Sequence, residues 1–169
     1  RITILLGDGS GRFTEAAGSP VSVGGYPSYA SIADFNLDGN PDLAVLMSWQ
    51  GNNVTILLGD GNGRFAQASG SPFGVGDSPN SIAVSDFNLD GKPDLAVANR
   101  DSRNVTILLG DGTGGFDQAL GSPVGVERGS NFVATSDFNL DGKPDLAVAN
   151  NSFPGLTILL GDGSGGFTP

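Results

Sequence analysis

A chain of 169 residues with 38% hydrophobic side chains, 28 glycines and 10 prolines has the size of one domain and suits many short strands joined by tight turns, not helices. Its formal charge of −10 comes from sixteen Asp and only two Glu, Glu15 and Glu127, which places the charge in turns and short-armed metal cages and leaves no basic stripe to attract nucleic acid or an anionic membrane. With no Cys and no His, disulfides, zinc thiolate sites, thiol nucleophiles and the commonest general base are excluded, and no run is apolar enough to insert into a bilayer.

No signal peptide is visible, and a start at Arg1 points to a processed chain or a piece of a longer one. From that start the chain repeats itself. Ile2-Thr3-Ile4-Leu5-Leu6-Gly7-Asp8-Gly9 returns at Val54–Gly61, Val105–Gly112 and Leu156–Gly163, at offsets of 52, 51 and 51. Asp34-Phe35-Asn36-Leu37-Asp38-Gly39 returns from Asp86 and Asp137 at offsets of 52 and 51, so both blocks belong to one unit.

In chain order, residues 1–26 read as the C and D strands of a first partial unit. Residues 27–78, 79–129 and 130–169 read as three further units, the last truncated in its final strand. Within a unit, strand A is predicted at Ala30–Ala33, Ile82–Ser85 and Val133–Ser136, and strand B at Asp42–Leu46, Asp94–Ala98 and Asp145–Ala149. Strand C is the Thr-Ile-Leu-Leu run, and strand D starts at Phe13, Phe65, Phe116 and Phe167. Each is short and bounded by Gly, Pro, Asn or Asp. The Gly-Asp-Gly-x-Gly link from C to D tolerates positive φ and reads as a hairpin turn. Four strands in a repeat of this length describe an all-β fold of β-propeller blades, with the apolar A, B and C strands buried between neighbours.

The chemistry lies between strands A and B, where Asp-x-Asn-x-Asp-Gly-x-Pro-Asp occurs three times. Side-chain oxygens at positions 1, 3, 5 and 9 can turn inward, position 7 can add its carbonyl, and Gly at position 6 permits the bend. The expected metal ligands are Asp34, Asn36, Asp38, Asn40 and Asp42, then Asp86, Asn88, Asp90, Lys92 and Asp94, then Asp137, Asn139, Asp141, Lys143 and Asp145, with Asn40, Lys92 and Lys143 acting through their carbonyls. Three carboxylates packed together repel one another without a cation, and hard oxygens in a flexible loop favour Ca²⁺ over Mg²⁺ or Zn²⁺, so three Ca²⁺ sites are expected. An EF-hand is excluded because its twelfth position, a bidentate Glu, is Val45, Val97 and Val148 here. The plainer alternative is that these loops are ordinary Asx turns. The turns at Asp8, Asp60, Asp111 and Asp162 are expected to be hairpin turns without metal.

Asp-Phe-Asn-Leu-Asp-Gly-x-Pro-Asp-Leu-Ala-Val alternating with Ile-Leu-Leu-Gly-Asp-Gly-x-Gly-x-Phe resembles the FG-GAP or VCBS repeats, whose blades also build the integrin α-subunit head. The resemblance covers essentially the whole chain. It implies Ca²⁺ on one face of a propeller and ligands on the opposite face. Asn at position 3, as in many bacterial members, departs from the Asp frequent in integrins and lowers the charge without abolishing the site.

About three and a third units do not close a ring, so further blades are expected, either from the same parent chain or from other copies. Strand alternation places the A–B and C–D loops on one face and the B–C and D–A loops on the other. The latter vary most, and they hold the only Trp and Tyr residues, Trp49, Tyr26 and Tyr29. These aromatics either form a platform for a partner or fill the space between blades. The expected role is a non-catalytic, extracellular or cell-surface bacterial module for adhesion or protein binding. The alternatives are a carbohydrate-binding lectin and an accessory domain of a larger secreted polysaccharide-active enzyme.

Overall fold

Apolar Leu-Ala-Val runs alternate with Gly- and Asp-rich turns, so each run has an antiparallel partner within reach of a short loop. The computed structural model describes residues 1–47, 51–126, 129–151 and 155–169, and all regular structure in them is β. The chain opens with a two-stranded ladder of β1 (Leu5–Gly7) and β2 (Phe13–Glu15), extended by a bridge between Ile2 and Val21. The first full sheet is β3 (Pro27–Ala33), β4 (Asp42–Met47), β5 (Asn53–Gly59) and β6 (Phe65–Gln67) in sequence order, with β7 (Phe73–Gly74) also on β5. The second repeats that order with β8 (Pro79–Ser85), β9 (Asp94–Asn99), β10 (Asn104–Gly110), β11 (Phe116–Gln118) and β12 (Val124–Gly125). The third comprises β13 (Ser130–Ser136), β14 (Asp145–Asn150), β15 (Leu156–Gly161) and β16 (Phe167–Thr168). All pairs are antiparallel.

The sheets pack face to face in sequence order. Ala44, Leu46, Val54 and Ile56 of the first meet Ile82, Leu95, Val97 and Leu108 of the second in one core. Ala96, Ala98, Val105 and Ile107 of the second meet Val133, Leu146, Val148 and Leu159 of the third in another. A smaller core joins Val21 and Val23 of the opening ladder to Leu43, Val45 and Leu57. Strand B therefore buries both faces: β4 and β9 are buried at every residue. Each fully covered Leu or Ile contributes about 1.5–3 kcal/mol, so the inter-sheet cores supply most of the stabilisation. Strands β3 and β8 touch, as do β8 and β13, which brings the first strand of each sheet beside its counterpart.

Three features differ from the sequence reading. Strand A is longer, starting at Pro27, Pro79 and Ser130, because register shifts just after these residues let the chain enter the ladder three residues early. Strand A is not buried throughout: along β3 exposed residues alternate with half-buried ones and Ile32 is 66% exposed, since no A strand precedes it in the described residues. Strand D is interrupted. Between β6 and β7 the Ser71 hydroxyl accepts the N–H of Ile56 at 2.9 Å, and Ser19 and Ser122 do the same for Ile4 and Ile107. A side-chain oxygen thus replaces a ladder carbonyl where Pro72 follows and can donate nothing. The recurring Gly-Ser-Pro at 18–20, 70–72 and 121–123 was the available signal.

Candidate functional site: the Asp-rich loops

The three nine-residue loops that join strand A to strand B are superimposable in their hydrogen bonding. The carboxylate at position 1 accepts the N–H groups of positions 5 and 6: Asp34 from Asp38 (3.0 Å) and Gly39 (2.8 Å), Asp86 from Asp90 (2.9 Å) and Gly91 (2.7 Å), Asp137 from Asp141 (3.1 Å) and Gly142 (2.8 Å). The amide oxygens of Asn36, Asn88 and Asn139 accept the same position-5 N–H at 3.0–3.2 Å. Asp38, Asp90 and Asp141 accept the N–H of position 7, from Asn40, Lys92 and Lys143, at 2.8–3.0 Å. The bend needs positive φ at two places. Gly39, Gly91 and Gly142 supply one at 84–86°, and Leu37, Leu89 and Leu140 adopt 57–62°, a conformation uncommon for a leucine.

Position 9 has a role that the spacing did not disclose. Asp42, Asp94 and Asp145 are fully buried. One oxygen of each accepts the N–H of the loop's own Phe (Phe35, Phe87, Phe138) at 2.8–2.9 Å, and the other accepts the N–H of the last glycine of strand C (Gly59, Gly110, Gly161) at 2.7–2.9 Å. The carboxylate ties the loop to the end of β5, β10 or β15. Those glycines admit no side chain, because a Cβ would overlap the carbonyl oxygen of Pro41, Pro93 or Pro144.

The electrostatics follow from these partners. The backbone N–H of Asn40, then the Asn36 amide, hold the Asp38 carboxyl below the usual range. Asp90 is lowered chiefly by the Lys92 ammonium, which lies 2.9 Å from its Oδ2, and Asp141 by the backbone N–H of Lys143. Burial pushes Asp94 up to about 6, against the pull of the Gly110 and Phe87 N–H groups. Among the described residues no three acidic side chains close on one point as a ready-made cage. Positions 1, 3 and 5 are gathered around the turn's backbone N–H groups, and position 9 faces the sheet. The donor set itself fits a hard cation: three carboxylates, one amide oxygen and one carbonyl, on a glycine-bent loop, with carboxylate lone pairs that the hydrogen bonds leave over.

The Gly-Asp-Gly turns are closed by their own Asp. Asp8, Asp60, Asp111 and Asp162 each accept the N–H groups two and four residues on, at 2.7–3.2 Å, and so form hairpin turns. They sit on the same face as the Asp-rich loops and reach the preceding unit. Gly114 donates to the carbonyl of Phe35, and Gly165 to that of Phe87, both at 3.0 Å.

An FG-GAP-like repeat model matches residues 34–97 and again residues 86–148, together more than half of the chain. The chain belongs to the FG-GAP-like repeat family. Each match begins at position 1 of an Asp-rich loop and ends inside strand B of the next unit, so each contains two such loops. Among curated proteins none matches the chain.

On the opposite face of the FG-GAP-like units, the B–C and D–A loops bond to each other across unit boundaries. Asp77 bonds Asn52 and the Ser102 hydroxyl, and Ser78 bonds Asp101. Tyr26 is 73% exposed there. Tyr29 is half-buried against the core between the first two sheets, and Trp49 lies outside the described residues. Tyr26 borders a cleft of about 380 Å³, lined also by Val23, Met47, Asn53, Thr55 and Gln67. The Oδ1 of Asn53 is buried without a hydrogen-bond partner, although its amide donates to the Gly51 carbonyl at 2.8 Å.

Proposed function

We propose that the chain is a Ca²⁺-binding run of β-propeller blades that serves as a non-catalytic module for extracellular adhesion or protein binding. The observation that carries this reading is the same loop geometry built three times, with the four side-chain oxygen donors of each loop held by backbone N–H groups. Family membership and the face-to-face order of the sheets support blades. Asp34, Asp38 and Asp42, with Asn36 and the carbonyl of Asn40, would hold the first ion, and the corresponding residues of the other loops would hold two more. An ion supplies charge neutralisation for carboxylates that otherwise repel across a tight turn. In the second loop the Lys92 ammonium must swing off Asp90 before an ion can use both of that carboxylate's oxygens, whereas Asn40 carries no competing charge. Titration calorimetry at millimolar Ca²⁺ is expected to give three ions per chain, and fewer than two would overturn the reading.

The cleft beside Tyr26 favours a second reading, a carbohydrate-binding surface on the face away from the loops. An exposed phenol ring, an unpartnered buried amide oxygen and the absence of charged side chains among the described lining residues suit a neutral polyhydroxylated ligand. On a glycan array, binding that Tyr26→Ala abolishes would establish this reading, and no binding to any glycan would dismiss it.

A further inference from the structure

We propose that the cleft beside Met47 receives the side-chain carboxamide of an asparagine or glutamine on a polypeptide partner. The proposal rests on reading the chain as a protein-binding module, and it comes from comparing the first full unit with the second.

Where strand B passes into strand C, the two strands share a cross-strand pair: Met47 opposite Asn53 in the first full unit, Asn99 opposite Asn104 in the second. Such a pair sets its two side chains beside each other. In the second unit the Asn99 amide nitrogen donates to Asn104 Oδ1 and to Thr106 Oγ1, both at 2.8 Å, and Asn99 is fully buried. In the third, the Asn150 amide donates to Thr157 Oγ1 at 2.9 Å. The first unit keeps Asn53 and Thr55 at the strand positions of Asn104 and Thr106 but has Met47 where the other two have asparagine. A thioether has no proton to give. Asn53 Oδ1 is accordingly buried without a hydrogen-bond partner, and Met47, Asn53 and Thr55 all line the cleft of about 380 Å³. The preceding D–A connection lies against both places and presses closer in the second unit. A Cβ at Gly76 would stand 2.8 Å from Asn99, whereas one at Gly25 would stand 3.4 Å from the Met47 sulfur.

The second unit thus defines the group that the first one lacks: two N–H donors on one nitrogen, carried on a short neutral arm. A carboxamide supplies both. A sugar hydroxyl brings one proton to two acceptors, and an ammonium would be buried without a countercharge, since none of the described lining residues carries a charged side chain. Because Asn53 Oδ1 is buried, the entering amide displaces its cross-strand neighbour Met47, an unbranched side chain that turns about its three bonds.

Met47 is the only methionine, so a chain labelled at the methionine methyl gives a single signal at the cleft. N-acetyl-asparagine N-methylamide, titrated to about 50 mM, is expected to shift that signal saturably, and the isosteric leucine probe to bind about tenfold more weakly. Met47→Asn, which restores the donor of the second unit, should keep the wild-type circular dichroism and lose the response, followed through the Asn53 side-chain amide signals. Should Met47→Asn fail to fold, Thr55→Val, which removes one acceptor and keeps the shape, should weaken binding about fivefold. No response, equal responses to the two probes, a response to a monosaccharide alone, or full binding by a folded variant would overturn the proposal. Each of these would leave standing a module that binds protein elsewhere on its loops.

Discussion

Asp94→Ala is expected to destabilise the protein by about 2–4 kcal/mol even with all divalent metal removed, because it strands two buried backbone N–H groups at about 1–3 kcal/mol each while relieving a buried carboxyl. Those donors are Gly110 and Phe87, both 2.8 Å from the carboxylate. For a chain of this size the thermal midpoint should fall by about 5–15 °C. Asp86→Ala is the control. Its carboxylate accepts from Asp90 and Gly91 in an exposed part of the loop, where water can replace it. Its cost should be about 1 kcal/mol or less without metal, and larger only when Ca²⁺ is present. Equal losses for the two variants in chelator would show that position 9 does not tie the loop to strand C.

Chelation of Ca²⁺ should lower the melting midpoint of the wild-type chain by more than about 10 °C. An ion that binds the folded loop and not the open chain stabilises by about 2.7 kcal/mol when free Ca²⁺ is a hundredfold above its dissociation constant, and three independent loops triple that figure. Mg²⁺ should restore little of the loss, since it demands octahedral geometry and keeps its water. An unchanged midpoint would mean that the loops are Asx turns whose carboxylates are satisfied by the backbone N–H groups already described.

The turns and the starts of strands B and D were legible because Gly, Asp, Asn and Pro act locally. Gly39 admits the positive φ that the bend needs, and Pro41 biases the residue before it towards an extended path into strand B. Asp34, Asn36 and Asp38 were readable as one group for the same reason, since their partners lie within the loop. What was not legible depends on residues far along the chain. Nothing near Asp42 says that its second oxygen meets Gly59, and nothing near Tyr29 says that the second sheet half-covers it. Pro27 and Pro79 read as loop residues because a proline donates no ladder bond, yet a register shift places each at the start of strand A. The leucines at 37, 89 and 140 carried a signal that composition hides: an apolar side chain kept at a positive-φ position of a polar loop is there for a neighbour.

The one-residue difference in period has a definite location. Strand B to strand C is one residue longer in the first full unit than in the other two, while the spans across the Asp-rich loops and the Gly-Asp-Gly turns are constant. On the loop face, a leucine must land on a particular glycine of the next unit, so an inserted residue there would dislodge the following sheet. On the other face, the B–C connection differs by one residue between units, although its Asn52, Asp101 and Ser102 bond the D–A loop. The molecule thus has one side whose length is set by apolar side chains seated on glycines of the next unit, and one side where the span can change by a residue while hydrogen bonds between loops keep the units joined.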